Sequence, residues 1–108
     1  MEDRQTKRME VLKMLCMAAR YNRYVMAGKV MEARDGYVYG PHMQTEYTGG
    51  IAGDRRRREL VEQDGWTISK KKFPDRDAWY YRLEVSKIRA EHLLHQINAG
   101  HYPTNLNQ

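Results

Sequence analysis

The stretch GGIAGDRRRRELVEQDGW, Gly49 to Trp66, sets four consecutive arginines in a segment of helical composition. Gly49-Gly50 interrupts the chain before it, and Gly65 stands where a left-handed residue ends a helix. The pattern predicts a helix over residues 51–64. At about 100° per residue, Gly53, Arg56, Arg57, Leu60, Val61 and Asp64 gather on one side of that helix. Ile51, Asp54, Arg55, Arg58 and Glu62 gather on the other. The arginine run is therefore divided. Arg55 and Arg58 project outward together, while Arg56 and Arg57 border the apolar side, where long stems can cover neighbours and leave the charged heads at the edge. The outward pair has two readings. It is a set of groove or phosphate contacts, or a solvated face with Arg55–Glu59 and Arg58–Glu62 ion pairs in the weaker basic-before-acidic order.

Downstream, residues 66–71 and 78–84 alternate like half-buried strands, and residues 72–77 (Lys-Phe-Pro-Asp-Arg-Asp) are turn chemistry. The expected hairpin places Trp66 and Ile68 on one face of its first strand, and Trp79, Tyr81 and Leu83 on one face of the second. Its tip is basic, with Lys70, Lys71, Lys72 and Arg76. Taken alone, Lys70–Lys72 read as a solvated hairpin edge kept basic against aggregation.

Upstream, Met9, Leu12, Leu15, Cys16 and Ala19 form one stripe at helical spacing, which predicts a first helix over residues 4–20 with Asp3 as its N-cap. Residues 21–48 admit two drawings. A short helix over residues 24–34 puts Met26, Lys29, Val30 and Ala33 on one side and ends at Gly36. The same segment can be a hairpin turning at Asp35-Gly36. The helix is the preferred reading. Pro41 then opens a further short helix through Met43, Thr45 and Tyr47.

A last helix is expected over residues 85–98, with Ala90, Leu93, Leu94 and Ile97 as its clearest stripe. Val85 and Ile88 lie nearly opposite. A second apolar face on so small a chain motivates the expectation of a homodimer through this helix. The tail from His101 to Gln108 is polar, and fraying is expected there.

The segment Arg-Arg-Arg-Arg-Glu-Leu, followed by Gly-Trp-Thr-Ile, a basic turn and a returning Tyr-Arg-Leu strand, resembles the junction of recognition helix and wing in the small winged helix-turn-helix proteins of phages and bacteria. The residues that carry the resemblance are Arg56, Arg58, Glu59, Leu60, Gly65, Trp66, Ile68, Tyr81 and Leu83. It covers residues 45–84, with residues 4–20 as a first helix. It departs at Arg57, where the family has an aliphatic residue, and in the long segment 21–48. The resemblance implies an α+β, mostly helical fold. Residues 1–84 would form a winged helix-turn-helix with a C-terminal β-hairpin wing, and residues 85–108 an added helix and tail of the same domain. It also implies a double-stranded DNA-binding regulator or accessory factor of a phage or mobile element. Helix 51–64 would enter the major groove with Arg55 and Arg58, and the wing 66–84 would lie on the backbone with Lys70, Lys71, Lys72 and Arg76. The alternative is a host-protein inhibitor on the same fold, directed at a defence or polymerase complex. The acids Asp54, Glu59 and Glu62 among the arginines suit it, since they repel phosphates.

Composition agrees with an anionic partner. Lys and Arg number 19 against 14 Asp and Glu, a formal charge of +5 over 108 residues. The single cysteine, Cys16, sits among apolar neighbours and reads as a buried structural thiol. No apolar run approaches a membrane span, the start Met-Glu-Asp-Arg is unlike a secretory signal, and a reducing cytoplasmic setting is the expectation. His92 and His95 lack a third metal ligand in sequence. Gly49-Gly50-x-x-Gly53 lacks the Lys-Ser/Thr of a phosphate loop and a strand before it. Neither a cofactor nor catalysis is expected. Tyr21, Tyr24, Tyr37, Tyr39 and Tyr47 read as core-finishing tyrosines, with a protein-contact role as the other reading.

Overall fold

A computed structural model describes residues 4–44 and 53–106. The Asp3 cap, Thr45, Tyr47, Ile51 and Ala52 lie outside the described residues. Within them the chain is an α+β fold of three α-helices and two small antiparallel sheets.

Helix α1 (Arg4–Tyr21) is the central element, and it packs against the two other helices and both sheets. That is why its buried set, Val11, Leu12, Met14, Leu15, Cys16 and Ala18, is broader than one stripe. Asn22 ends it in the left-handed region at φ 55°, donating its N–H to Ala18 O at 2.9 Å while its side chain accepts from Gly36 N at 2.7 Å.

The expected helix over 24–34 is a β-hairpin instead. Strands β1 (Arg23–Met26) and β2 (Lys29–Glu32) pair antiparallel, with Val25 opposite Val30 and Met26 opposite Lys29. Ala27 and Gly28, at φ 51° and 81°, supply the two left-handed residues of a hairpin turn whose twist matches the strands. A helix here would hold Gly28 in its interior, at a cost of about 1 kcal/mol relative to alanine, and would place Lys29 on its apolar side. Asp35-Gly36 is a turn as well, the second of two. It closes the Arg34–Tyr37 bridge, where each backbone N–H donates to the other's carbonyl at 3.1 and 2.9 Å.

Strand β3 (Val38–Tyr39) follows and runs into a 3-10 helix, Gly40–Gln44. Helix α2 (Gly53–Glu62) is shorter than the expected 51–64, because Gln63 and Asp64 already turn. Gly65 has φ 78°, as its position after the helix predicts, and a side chain there would also meet Asn105 O at 3.2 Å. Trp66 is buried but precedes strand β4 (Ile68–Lys71), which pairs with β5 (Tyr80–Leu83) in the expected hairpin. Strand β3 pairs with the far side of β5, giving the antiparallel order β3-β5-β4.

Helix α3 (Lys87–Asn98) is capped by Ser86, whose hydroxyl accepts from Arg89 N at 3.1 Å. Ala90, Leu93, Leu94 and Ile97 are buried as expected. Its second apolar face is not there. Val85 lies before the helix and packs on the core, leaving Ile88 alone, 70% exposed. The premise for pairing through α3 is lost with it. The tail is also not frayed through Asn105. Asn105 N donates to Asp64 O at 2.8 Å, its side-chain amide donates to Gly65 O at 3.1 Å, and the Tyr102 hydroxyl donates to Asp64.

Candidate nucleic-acid interface

The four arginines divide as the helical spacing requires. Arg55 and Arg58 are exposed, Arg57 is half-buried, and Arg56 is only 6% exposed. Their partners differ from the expected ladder. Glu59 is buried rather than outward, and its Oε1 lies 2.9 Å from Arg56 Nη1 and 3.4 Å from Arg8 Nε. The angles make neither contact an aligned hydrogen bond, so the attraction is one of charge in a poorly hydrated site. Arg8 continues to Asp64 Oδ1 and Oδ2 at 3.2 and 3.3 Å and to Gln63 Oε1 at 3.0 Å. One arginine of α1 thus ties down the C-terminal half of α2 and the turn after it. Burial, and then the hydrogen bond to Asp64, hold the Tyr102 phenol above the ordinary tyrosine range.

On the other side of α2, Asp54 gathers two arginines, Arg57 Nη2 at 2.8 Å and Arg58 Nε at 3.4 Å. The favoured place for this carboxylate is the first turn, near the positive end of the helix dipole. Arg58 therefore reaches back to Asp54 and not forward to Glu62. Arg55 has no carboxylate within ion-pair distance among the described residues. The guanidinium of Arg57 lies over the Tyr81 ring, 4.3 Å from its centroid. An aromatic–guanidinium contact here takes the place of the aliphatic packing that the resemblance would imply.

That contact orients the sheet. Alternation along β5 puts Tyr81 and Leu83 on the side of Arg57, and Tyr80 and Arg82 on the opposite side. The register carries this across the hairpin, with Lys70 opposite Tyr81 and Lys71 opposite Tyr80. The basic residues of the hairpin are consequently split between two faces. On the α2 side, the ammonium groups of Lys70 and Lys72 lie 4.7 and 5.5 Å from the centroid of the Trp79 ring, which is 41% exposed. On the far side, Lys71 lies over Phe73 at 5.1 Å and Arg76 over Tyr39 at 5.1 Å.

The far face is a continuous cluster of rings. Tyr37, Phe73, Tyr80 and Tyr39 follow one another with centroids 4.7–6.0 Å apart. Arg34 stacks on Phe73 at 4.0 Å and pairs with Asp75 at 2.7 Å, and Arg82 covers Tyr37 at 4.5 Å and pairs with Glu84 at 2.7 Å. Lys71 and Arg76, both expected beside Lys70 and Lys72, belong to this second surface. Alternation alone separates Lys71 from Lys70 and Lys72; what each side meets, and the place of Arg76 over Tyr39, appear only in the folded sheet.

At the edge of that cluster, the Tyr24 hydroxyl meets His42 Nδ1 at 2.7 Å and accepts from Tyr39 N at 3.3 Å. A donating phenol needs an unprotonated Nδ1. Burial, with Arg76 nearby, keeps the imidazole below its ordinary pKa. His92 and His95 are both exposed on α3, and no three His, Cys, Asp or Glu side chains form a metal-sized group among the described residues. Cys16 is buried, and desolvation pushes its thiol up to about 12, far from a nucleophile at neutral pH. No helix among the described residues is long and apolar enough to cross a membrane.

Comparison of the chain with family models, with curated proteins and with solved structures finds no match.

Proposed function

We propose that the chain is a winged helix-turn-helix protein that binds double-stranded DNA, a regulator or accessory factor of phage or mobile-element type. The observation that carries this reading is the Arg57–Tyr81 contact together with the β4–β5 register. The contact packs the core-bordering side of α2 against the hairpin face that carries Lys70, Trp79 and Lys72, and Arg58 shares Asp54 with Arg57. A helix packed against a hairpin, with exposed cations on both, supports binding to a groove flanked by phosphate rails. The order α1, β3, α2, β4, β5, with β5 central in its sheet, supports the winged arrangement. Arg55 and Arg58 carry the groove contacts, and Lys70 and Lys72 the backbone contacts. Lys71 and Arg76 leave this interface. Charge reversal of Arg55 and Arg58 tests the reading, with folding followed by circular dichroism. Duplex affinity should collapse, and the wild-type protein should show a steep loss of affinity with salt. Unchanged duplex affinity in the folded double variant overturns the assignment.

A second reading, a host-protein inhibitor on the same fold, is favoured by the β1–β2 hairpin. Val30 is 68% exposed opposite an exposed Val25, beside exposed Tyr21. Apolar β-branched and aromatic side chains in one patch suit a protein partner better than a polyanion. Of the acids that first suggested this reading, Glu59 no longer counts, because it is buried against Arg8 and Arg56. Absence of DNA binding at low salt, with capture of a protein lost on Val30→Asp, distinguishes it.

A further inference from the structure

We infer that Trp79, framed by Lys70 and Lys72, is a nucleobase-stacking site. The inference rests on the nucleic-acid reading above and adds to it a ligand group, the face of a base that is unpaired or unstacked.

The two tryptophans of the chain are used in opposite ways. Trp66 is 2% exposed in the core, with the Arg89 guanidinium over it at 5.7 Å. Trp79 stands 41% exposed, on the side of the sheet that Tyr81 shares. The cations over its ring are the flexible ammonium groups of Lys70 and Lys72, which an incoming base can displace towards its phosphates. Its backbone is held, because Gly40 N donates to Trp79 O at 2.9 Å and the next residue enters β5. The register that sets Lys71 opposite Tyr80 sets Lys72 across from Trp79, with Lys70 on the diagonal. Both ammonium groups rest near the ring, and neither pairs with a carboxylate among the described residues.

An exposed indole next to the start of β5, its carbonyl held by Gly40 and two cations over its ring that pair with no carboxylate among the described residues, has the parts that hold one nucleotide. The ring face takes the base, and the ammonium groups take the flanking phosphates. Stacking of this kind is sequence-tolerant, since every base has a π-face. The base can come from a single strand or from a destacked step in a duplex bound by α2.

Emission of tryptophan reads the site, because Trp66 is buried and serves as a constant background. The protein is titrated with single-stranded oligothymidine, with a blunt duplex, and with inorganic polyphosphate, which carries charge without bases. Binding of labelled oligonucleotide is followed in parallel by anisotropy. The expected result is quenching by nucleic acid and none by polyphosphate, with the quench absent in Trp79→Phe. Affinity for the quenching ligand should fall roughly tenfold to a hundredfold in Trp79→Ala and recover in part in Trp79→Phe, which keeps a ring and guards against a mere folding defect. Quenching by the single strand alone, or by the duplex, identifies the source of the base. Duplex binding without quenching, and with affinity unchanged in Trp79→Ala, overturns the stacking site and leaves the groove reading standing. No binding of either nucleic acid overturns both.

Discussion

Single residues show where local preference and observed conformation disagree. Ala27 occupies the first left-handed position of the β1–β2 turn, at φ 51°. A Cβ in that region costs on the order of 1–2 kcal/mol, a cost asparagine partly escapes by local hydrogen bonding. Ala27→Asn, which creates an Asn-Gly turn, is expected to stabilise the protein by about 0.5–1 kcal/mol. Urea unfolding checks it, with a higher midpoint at unchanged slope. This position also explains why the hairpin was not the preferred reading. Alanine carries no turn signal, so the Asp35-Gly36 turn was legible and the Ala27-Gly28 turn was not. Arg57 shows a similar disagreement. The resemblance to winged helix-turn-helix proteins implies an aliphatic side chain there, and the Tyr81 ring against which the Arg57 guanidinium lies is on a strand far along the chain.

Elements carry the next two expectations. In the β4–β5 hairpin, alternation assigns Lys70 and Lys72 to the α2 side and Lys71 and Arg76 to the ring cluster. Reversing charge at Lys70 and Lys72 should weaken duplex binding and flatten its salt dependence by about one unit per lost phosphate contact. The same reversal at Lys71 and Arg76 should have the smaller effect, and filter-binding titrations at several salt concentrations compare the two. In the 3-10 helix, His42 has a folded-state pKa below its unfolded value, which lies near 6.5. Between those two values the unfolded chain binds more protons than the folded one. Stability is therefore full above about pH 6.5 and falls as the pH drops below it. Protonation also removes the acceptor used by the Tyr24 hydroxyl. Urea midpoints across this range should lose part of their pH slope in His42→Gln.

At the scale of the whole molecule, the buried charges and the tail act together. Arg8, Glu59, Arg56 and Asp64 join α1 to α2, and Tyr102 and Asn105 bring the tail onto the same turn. Tyr102→Ala removes a hydrogen bond to a carboxylate and the cover over it. The expected loss is about 1–2 kcal/mol, with a lower unfolding midpoint and faster amide exchange at Gly65 and Trp66. Glu59→Leu should cost more than a surface substitution, because it leaves two guanidiniums near one another with less compensation.

The sequence by itself determined what depends on neighbours within a few residues. The apolar stripes gave α1 and α3, Gly65 gave the end of α2, and the alternation around Lys72–Asp77 gave the β4–β5 hairpin. Helical spacing alone separated Arg55 and Arg58 from Arg56 and Arg57. The tertiary structure decided what depends on contacts between distant segments. Glu59 turned inward because Arg8 waits on another helix, the tail was held because Asp64 and Gly65 present a carboxylate and a carbonyl to it, and β3 joined the sheet at β5. Alternation already separates Lys70 and Lys72 from Lys71, and the tertiary structure decided what each side of the hairpin meets, Arg57 of α2 on one and the ring cluster on the other. Short-range spacing restricts backbone conformation directly, whereas charge pairing and register are settled only when the elements meet.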